Sequence, residues 1–219
     1  MTIKGDATPD PLAPFRWLEA SGSRMGQIFC VAFFHRLGPG EVLRRFGAEE
    51  SSGQLMKFGE LNEAVGEFVE DTGGGFGGGY IGVLQAGDWS VALEPQGWQA
   101  VLSEPLVGLS RQCEVVAVGR HDYAEHGFAY AVDGQVVTGF TPHQPDFRWG
   151  TDPDRLNELM NEVELSLDPA AGQHTYTSSI AWAFAVAYEI TGVVLTPDTL
   201  DEPMLVGLIG PYAPSVEDR

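Results

Sequence analysis

Between Trp89 and Phe140 the chain alternates short apolar runs with turn residues: WSVALEP, CEVVAVGRH, FAYAVDG and QVVTGF. Asp133-Gly134 separates two alternating segments. Both residues of such a two-residue joint need positive φ, so the pair predicts a β-hairpin. In FAYAV the large Phe128, Tyr130 and Val132 alternate with Ala129 and Ala131. Large on one side and small on the other predicts a strand whose small face lies close under a helix. In CEVVAVG both alternating sets are apolar, which predicts a central strand. SEPLVGLS reads as a short helix, with Ser103 as its cap and Pro105 in its first turn.

The flanking sequence reads as cover for this sheet. Pro14 opens a short helix carrying Phe15, Trp17 and Leu18. QIFCVAFF, residues 27–34, is a continuous apolar run of β-formers and predicts a strand buried on both faces. EVLRRF predicts a short helix closed by Gly47. Residues 48–79 are acidic and least regular. Within them FGELNEAVGEFV reads as a weak helix or an irregular strand, and GGGFGGG, with Phe76 at its centre, as a mobile loop. YIGVL is a strand that turns at Ala86-Gly87-Asp88 into the Trp89 strand. FTPHQPDFRWG reads as a proline-rich crossing loop. Leu156, Leu159, Met160 and Val163 form one apolar helical stripe behind Asp152-Pro153. Thr177 to Thr191 is apolar nearly all round, the pattern of a helix buried on two sides. A last short helix starts at Thr196-Pro197-Asp198 and stops at Pro203. The expected fold is α+β: an antiparallel sheet of about six strands, with helices packed mainly on one face and two of them C-terminal. Residues 15–210 form its single domain, between tails at 1–14 and 211–219.

Charge narrows the partners. Twelve Lys and Arg against 31 Asp and Glu give a net charge of −19 over 219 residues. A surface of that sign excludes binding to nucleic-acid phosphates or to anionic membranes, and it steers basic proteins inward. The N-terminal MTIKGDATPDP has no apolar segment of a signal peptide. The longest apolar run, Ile180 to Ile190, contains Glu189 and is too short to cross a bilayer. Cys30 and Cys113 both sit in strand patterns as free thiols of a reducing compartment. The expectation is a cytoplasmic protein.

FCVAFF followed by PGEVLRRFGA, then WSVALEPQGW, LVGLSRQCEVVAV, FAYAVDGQVVTGFTP, RWGTDPDRLNELM and EITGVVLTPDTLDEPMLVG, resembles in order an uncharacterised domain family common in high-GC actinobacteria. The resemblance spans residues 15–210 and brings no catalytic residues with it. Relatives placed in bacterial conflict or signalling loci imply a binding or immunity role.

The chemistry of single motifs is sparse. GGGFGGG lacks the Gly-Lys-Ser/Thr ending of a phosphate loop and is followed by a strand. His121 and His126 flank one loop with Asp122 and Glu125 between them, a set that could ligate a divalent ion but reads first as a solvated hairpin loop. No metal or cofactor is expected. Cys113 has nothing nearby to depress its pKa, so a Cys113–His121 nucleophile pair is not expected. Trp98 and Trp149 fall in loops, and Trp149 lies beside Arg148, the composition of a contact hot spot. The expected binding residues are Trp98, Arg148, Trp149, Phe76, His121 and His126, on a non-enzymatic protein that engages a basic protein partner. Two alternatives stand beside it. One is an enzyme whose pocket lies under the glycine loop, with His121, Asp122, His126 and Arg148. The other is a scaffold subunit with exposed apolar surface.

Overall fold

A computed structural model describes residues 10–48, 53–73, 79–121, 126–167 and 178–209. Nine strands form one antiparallel sheet: β1 (Phe29–His35), β2 (Gln54–Met56), β3 (Gly79–Ala86), β4 (Trp89–Pro95), β5 (Glu114–Arg120), β6 (Gly127–Val132), β7 (Gln135–Thr141), β8 (Gln144–Trp149) and β9 (Met204–Ile209). Their order across the sheet is β2-β9-β3-β4-β1-β5-β6-β7-β8. Five α-helices occur among the described residues: α1 (Pro39–Arg45), α2 (Phe58–Thr72), α3 (Ser103–Leu109), α4 (Asn157–Glu162) and α5 (Ser179–Thr191). Short 3-10 turns run over Ala13–Leu18, Gln99–Val101 and Asp198–Asp201.

The pairing register separates two chemically different faces. One row crosses all nine strands as Leu55, Leu205, Val83, Ala92, Ala32, Ala117, Ala129, Gly139 and Trp149. Its centre is alanine and glycine. The adjacent row on the opposite face includes Leu93, Val31, Val118, Phe128 and Phe140. Small residues let a helix approach closely, whereas large ones fill a deeper layer. On the large-residue face α2, α4 and α5 close the main core, and Phe184 of α5 meets Phe15, Phe29 and Phe33 at 6.1–6.5 Å between ring centres. Glu19 accepts the Ala181 amide at 3.0 Å and so satisfies one of the first amides of α5. On the small-residue face α1 and α3 supply Val42, Leu43, Leu106 and Leu109.

Several expectations hold and several change. The Asp133-Gly134 hairpin forms, with φ of 48° and 76°, and Gly87 turns β3 into β4. Nine strands replace the expected six or so. The Trp89–Phe140 run is not contiguous in space either, because β1 inserts between β4 and β5 and takes the middle of the sheet. FTPHQPDFRWG turns and returns as β8. Pro145 is tolerated there because β8 is an edge strand, which needs hydrogen bonds on one side only. The segment after Pro203 is a strand, β9, wedged between β2 and β3. FGELNEAVGEFV lies within a 15-residue helix, with Phe58, Leu61 and Val65 inward and the Lys57 amide donated to Glu60 at 2.8 Å. Helices cover both faces, the larger share on one, because the alanine row opposite still exposes apolar surface that α1 and α3 bury. Phe76 and most of the glycine-rich loop lie outside the described residues.

Candidate functional site

After β4 the chain must leave the sheet, and the sequence EPQGWQAVL decides how. Gln96 takes φ 51° and donates its amide to Ile28 at 2.9 Å. The segment then crosses the ends of β1, β5 and β6 as a strap and enters α3. Two features hold it. At its start the Glu94 carboxylate, on a residue 2 % exposed, accepts the Gln99 amide at 2.9 Å and the Ala100 amide at 3.1 Å. These are the orphan amides that open the 3-10 turn, and the carboxyl oxygens satisfy them. At its far end Val101 rests on glycine. Glu94 pairs with Cys30, Cys30 with Gly119 and Gly119 with Gly127. A side chain at Gly119 would meet Val101 at 2.9 Å, so the strands are pared down where the strap lies.

Burial pushes the Glu94 carboxyl up to about 7, against the pull of the Ala100 and Gln99 amides and the Cys30 thiol. The Cys30 thiol is pushed well up by burial and by the adjacent carboxylate, which removes it as a nucleophile. The outer side of the strap meets the end of β5. Trp98 lies edge-to-face with His121 at 5.5 Å. His121 donates its amide to Nδ1 of His126 at 3.3 Å. Burial, then the charges of Arg120, His143 and His121, hold His126 down at about 4, so it stays neutral and can accept. Arg120 reaches the carbonyl of Leu18 and Oε1 of Gln27, each at 2.7 Å. Trp98, Val101, Leu102, Gly119, Arg120 and His121 enclose a cleft of about 250 Å3.

Three of the predicted residues therefore converge: Trp98, His121 and His126. Arg148 and Trp149 stand elsewhere, on the outermost strand, and point to opposite faces. Arg148 pairs with Phe140 on the large-residue side, and its Nη atoms donate to the Pro145 carbonyl at 2.7 Å and to Asp154 at 2.8 Å. That hydrogen bond holds the Asp154 carboxyl below its ordinary range. Trp149 lies over Gly139, whose missing side chain leaves room for the indole. Its neighbour at two residues' spacing, Phe147, is 67 % exposed, and the two rings are 6.4 Å apart. Cys113 and His121 sit at opposite ends of β5, so the thiol–imidazole pair does not assemble, and Arg45 occupies the Cys113 sulfur at 3.1 Å. Among the described residues no group of three His, Cys, Asp or Glu is placed to hold a metal, and no helix is long and apolar enough to cross a membrane.

Sequence reasoning missed Glu94, Phe147 and a polar cluster on β1, β5 and β6. In that cluster Glu114 meets Nδ1 of His35 at 3.4 Å and accepts the Tyr130 hydroxyl at 2.8 Å, with His35 stacked on Trp89 at 4.7 Å. For Glu94 the signal was a carboxylate closing an otherwise apolar strand. For Phe147 it was the two-residue spacing from Trp149. The chain belongs to the family of unknown function DUF6461. That family's pattern matches residues 10–209, which include the strap, the cleft and β8. No curated protein and no solved structure matches the chain.

Proposed function

We propose that this DUF6461 chain is a non-enzymatic protein-binding module whose docking surface is the aromatic strand β8. The observation that carries the reading is the exposed Phe147–Trp149 pair on the outermost strand of the sheet. Large aromatics in that position act as contact anchors, because they bring much apolar area with little side-chain freedom to lose. Exposed Asp146 and Asp152 stand nearby in the chain, and the net charge of −19 steers a basic partner toward the module. Glu60, Glu63, Glu67 and Glu70 form an exposed acidic stripe on α2, a helix that packs beside β3, six strands away from β8. It contributes steering rather than contact. Neutralisation of a basic effector, as an immunity protein does, is the sharpest form of this reading. A polar catalytic group built on His121, His126 and Arg148 is disfavoured, because Arg148 is committed to Pro145 and Asp154 on a different strand.

The test is panning of a displayed random-peptide library on the wild-type protein and on a Phe147→Ser/Trp149→Ser double variant, at low and high salt. The expected winners combine apolar residues with Lys or Arg, release at high salt, and fail on the double variant. Enrichment that is equal on both proteins would overturn the assignment of β8.

A further inference from the structure

β8 closes one end of the sheet. β7 lies along one of its sides, and no strand lies along the other among the described residues. In an antiparallel ladder every second residue turns its N–H and C=O to the same side, so an edge strand keeps about half of these groups for a further strand. The start of β8 is closed to one. Pro145 has no N–H to give, and its carbonyl already accepts Arg148 at 2.7 Å. From Asp146 to Trp149 neither limit applies, and Asp146, Phe147 and Trp149 are all exposed. The side chains of this stretch divide by face. Phe147 and Trp149, 6.4 Å apart, lie on the small-residue side. Asp146 alternates with them and lies on the other side with Arg148. Arg148 is matched to Asp154, whose side chain stays 71 % exposed, and Asp146 stands exposed beside that pair.

We infer that the partner joins the sheet at β8 as an added strand, through an extended basic segment in which apolar residues alternate with Lys or Arg. Its apolar residues pack on Phe147 and Trp149, its cations face Asp146 and Asp154, and its backbone pairs with the open edge from Asp146 to Trp149. This mode of binding rests on β8 being the contact surface. Main-chain hydrogen bonds supply the affinity, and the alternation of side chains supplies the selectivity. A second copy of this chain is disfavoured as the added strand, because each copy carries a net charge of −19.

The probe is a synthetic peptide of alternating Val and Lys, with derivatives N-methylated at every Val, at every Lys, or at both. Successive N–H groups of a strand point to opposite edges, so the first two derivatives lose one edge each and the third loses both, with every side chain kept. All are titrated into the isotopically labelled full chain and followed by NMR at low and high salt. The parent peptide is expected to shift the Asp146–Trp149 amides and to release at high salt. At least one single-edge derivative is expected to bind like the parent, and the derivative blocked on both edges about tenfold or more weakly, as loss of backbone hydrogen bonds does. Asp146→Lys, a change at an exposed position, is expected to weaken the parent peptide about fivefold. A peptide blocked on both edges that binds as the parent does would overturn strand addition, and β8 would still stand as the contact surface if Phe147→Ser/Trp149→Ser abolished that binding. A parent peptide that shifts Gln54–Met56 of the opposite edge strand β2 instead, or that moves neither edge, would overturn both. A free chain that sediments as a dimer until Phe147 is changed would make the second copy the occupant and overturn the basic partner.

Discussion

Trp98 and Trp149 both lie over glycine-bearing strands on the small-residue face, and they are held in opposite ways. Trp98 belongs to a strap fixed by a buried carboxylate at one end and a seated valine at the other. Trp149 closes a strand that has a neighbour on one side only, and its companion Phe147 is open to solvent. Two residues of the same type, both readable as loop aromatics, thus divide into a positioned wall and an available contact. Stability should concentrate at the strap and binding to macromolecules at β8.

The largest test removes the carboxylate. Glu94→Ala leaves the Gln99 and Ala100 amides buried without their acceptor, at about 1–3 kcal/mol each. Urea denaturation is expected to show a loss of about 2–5 kcal/mol, and a loss below about 0.5 kcal/mol would mean that the strap holds itself.

The same corner should carry two opposed pH dependences. Glu94 is raised from 4.5 to about 7, so the fold favours its protonated form. The stability this group contributes is complete below pH 4.5 and is lost as pH rises to about 7. His126 is lowered from 6.5 to about 4, so the fold favours its neutral form. Its contribution is complete above pH 6.5 and is lost as pH falls to about 4. Each is worth up to about 3 kcal/mol. Between pH 4.5 and 6.5 the two slopes cancel. Denaturation of Glu94→Gln across this range should therefore uncover a stability that rises with pH, and His126→Gln one that falls. Parallel profiles for the two variants would dissolve the pairing.

A smaller effect separates the glycines. Gly119→Ala places a methyl 2.9 Å from Val101 and should cost about 1–3 kcal/mol by overpacking. Gly139→Ala meets the Trp149 indole more closely still, but that ring is half-exposed on the edge strand and can swing outward, so its cost should be smaller. If thermal melts rank the two the other way, β8 is the rigid region and the comparison inverts.

What could be read from the sequence follows from how local each feature is. The Asp133-Gly134 hairpin, the alternation of FAYAV and the apolar run of β1 depend on neighbours in the chain, and all three form. β9 depends on pairing with β3, more than a hundred residues earlier, and β2 is three residues long, so neither left a local pattern. Pro145 hid β8. Gly59 and Gly66 diluted the helical stripe of α2. At the site, Trp98, His121 and His126 were visible as residue types. Their convergence was not, because it depends on the register that lines up Glu94, Cys30, Gly119 and Gly127. Glu94 looked like the end of a strand until that register turned it toward the strap.

The smallest stability effect is the most informative for binding. Phe147→Ser removes a ring that is 67 % exposed, so the fold loses little and the melting midpoint should stay within the change expected of a surface substitution, about 0.5 kcal/mol. Trp149→Ser should cost somewhat more, since its indole covers Gly139. If β8 is the contact surface, either substitution should weaken a selected basic peptide by about tenfold or more. A large stability loss from Phe147→Ser would show that this ring is packed rather than presented. An unchanged peptide affinity would remove β8 as the contact surface and move the search to the strap corner, where Trp98 also lines a cleft.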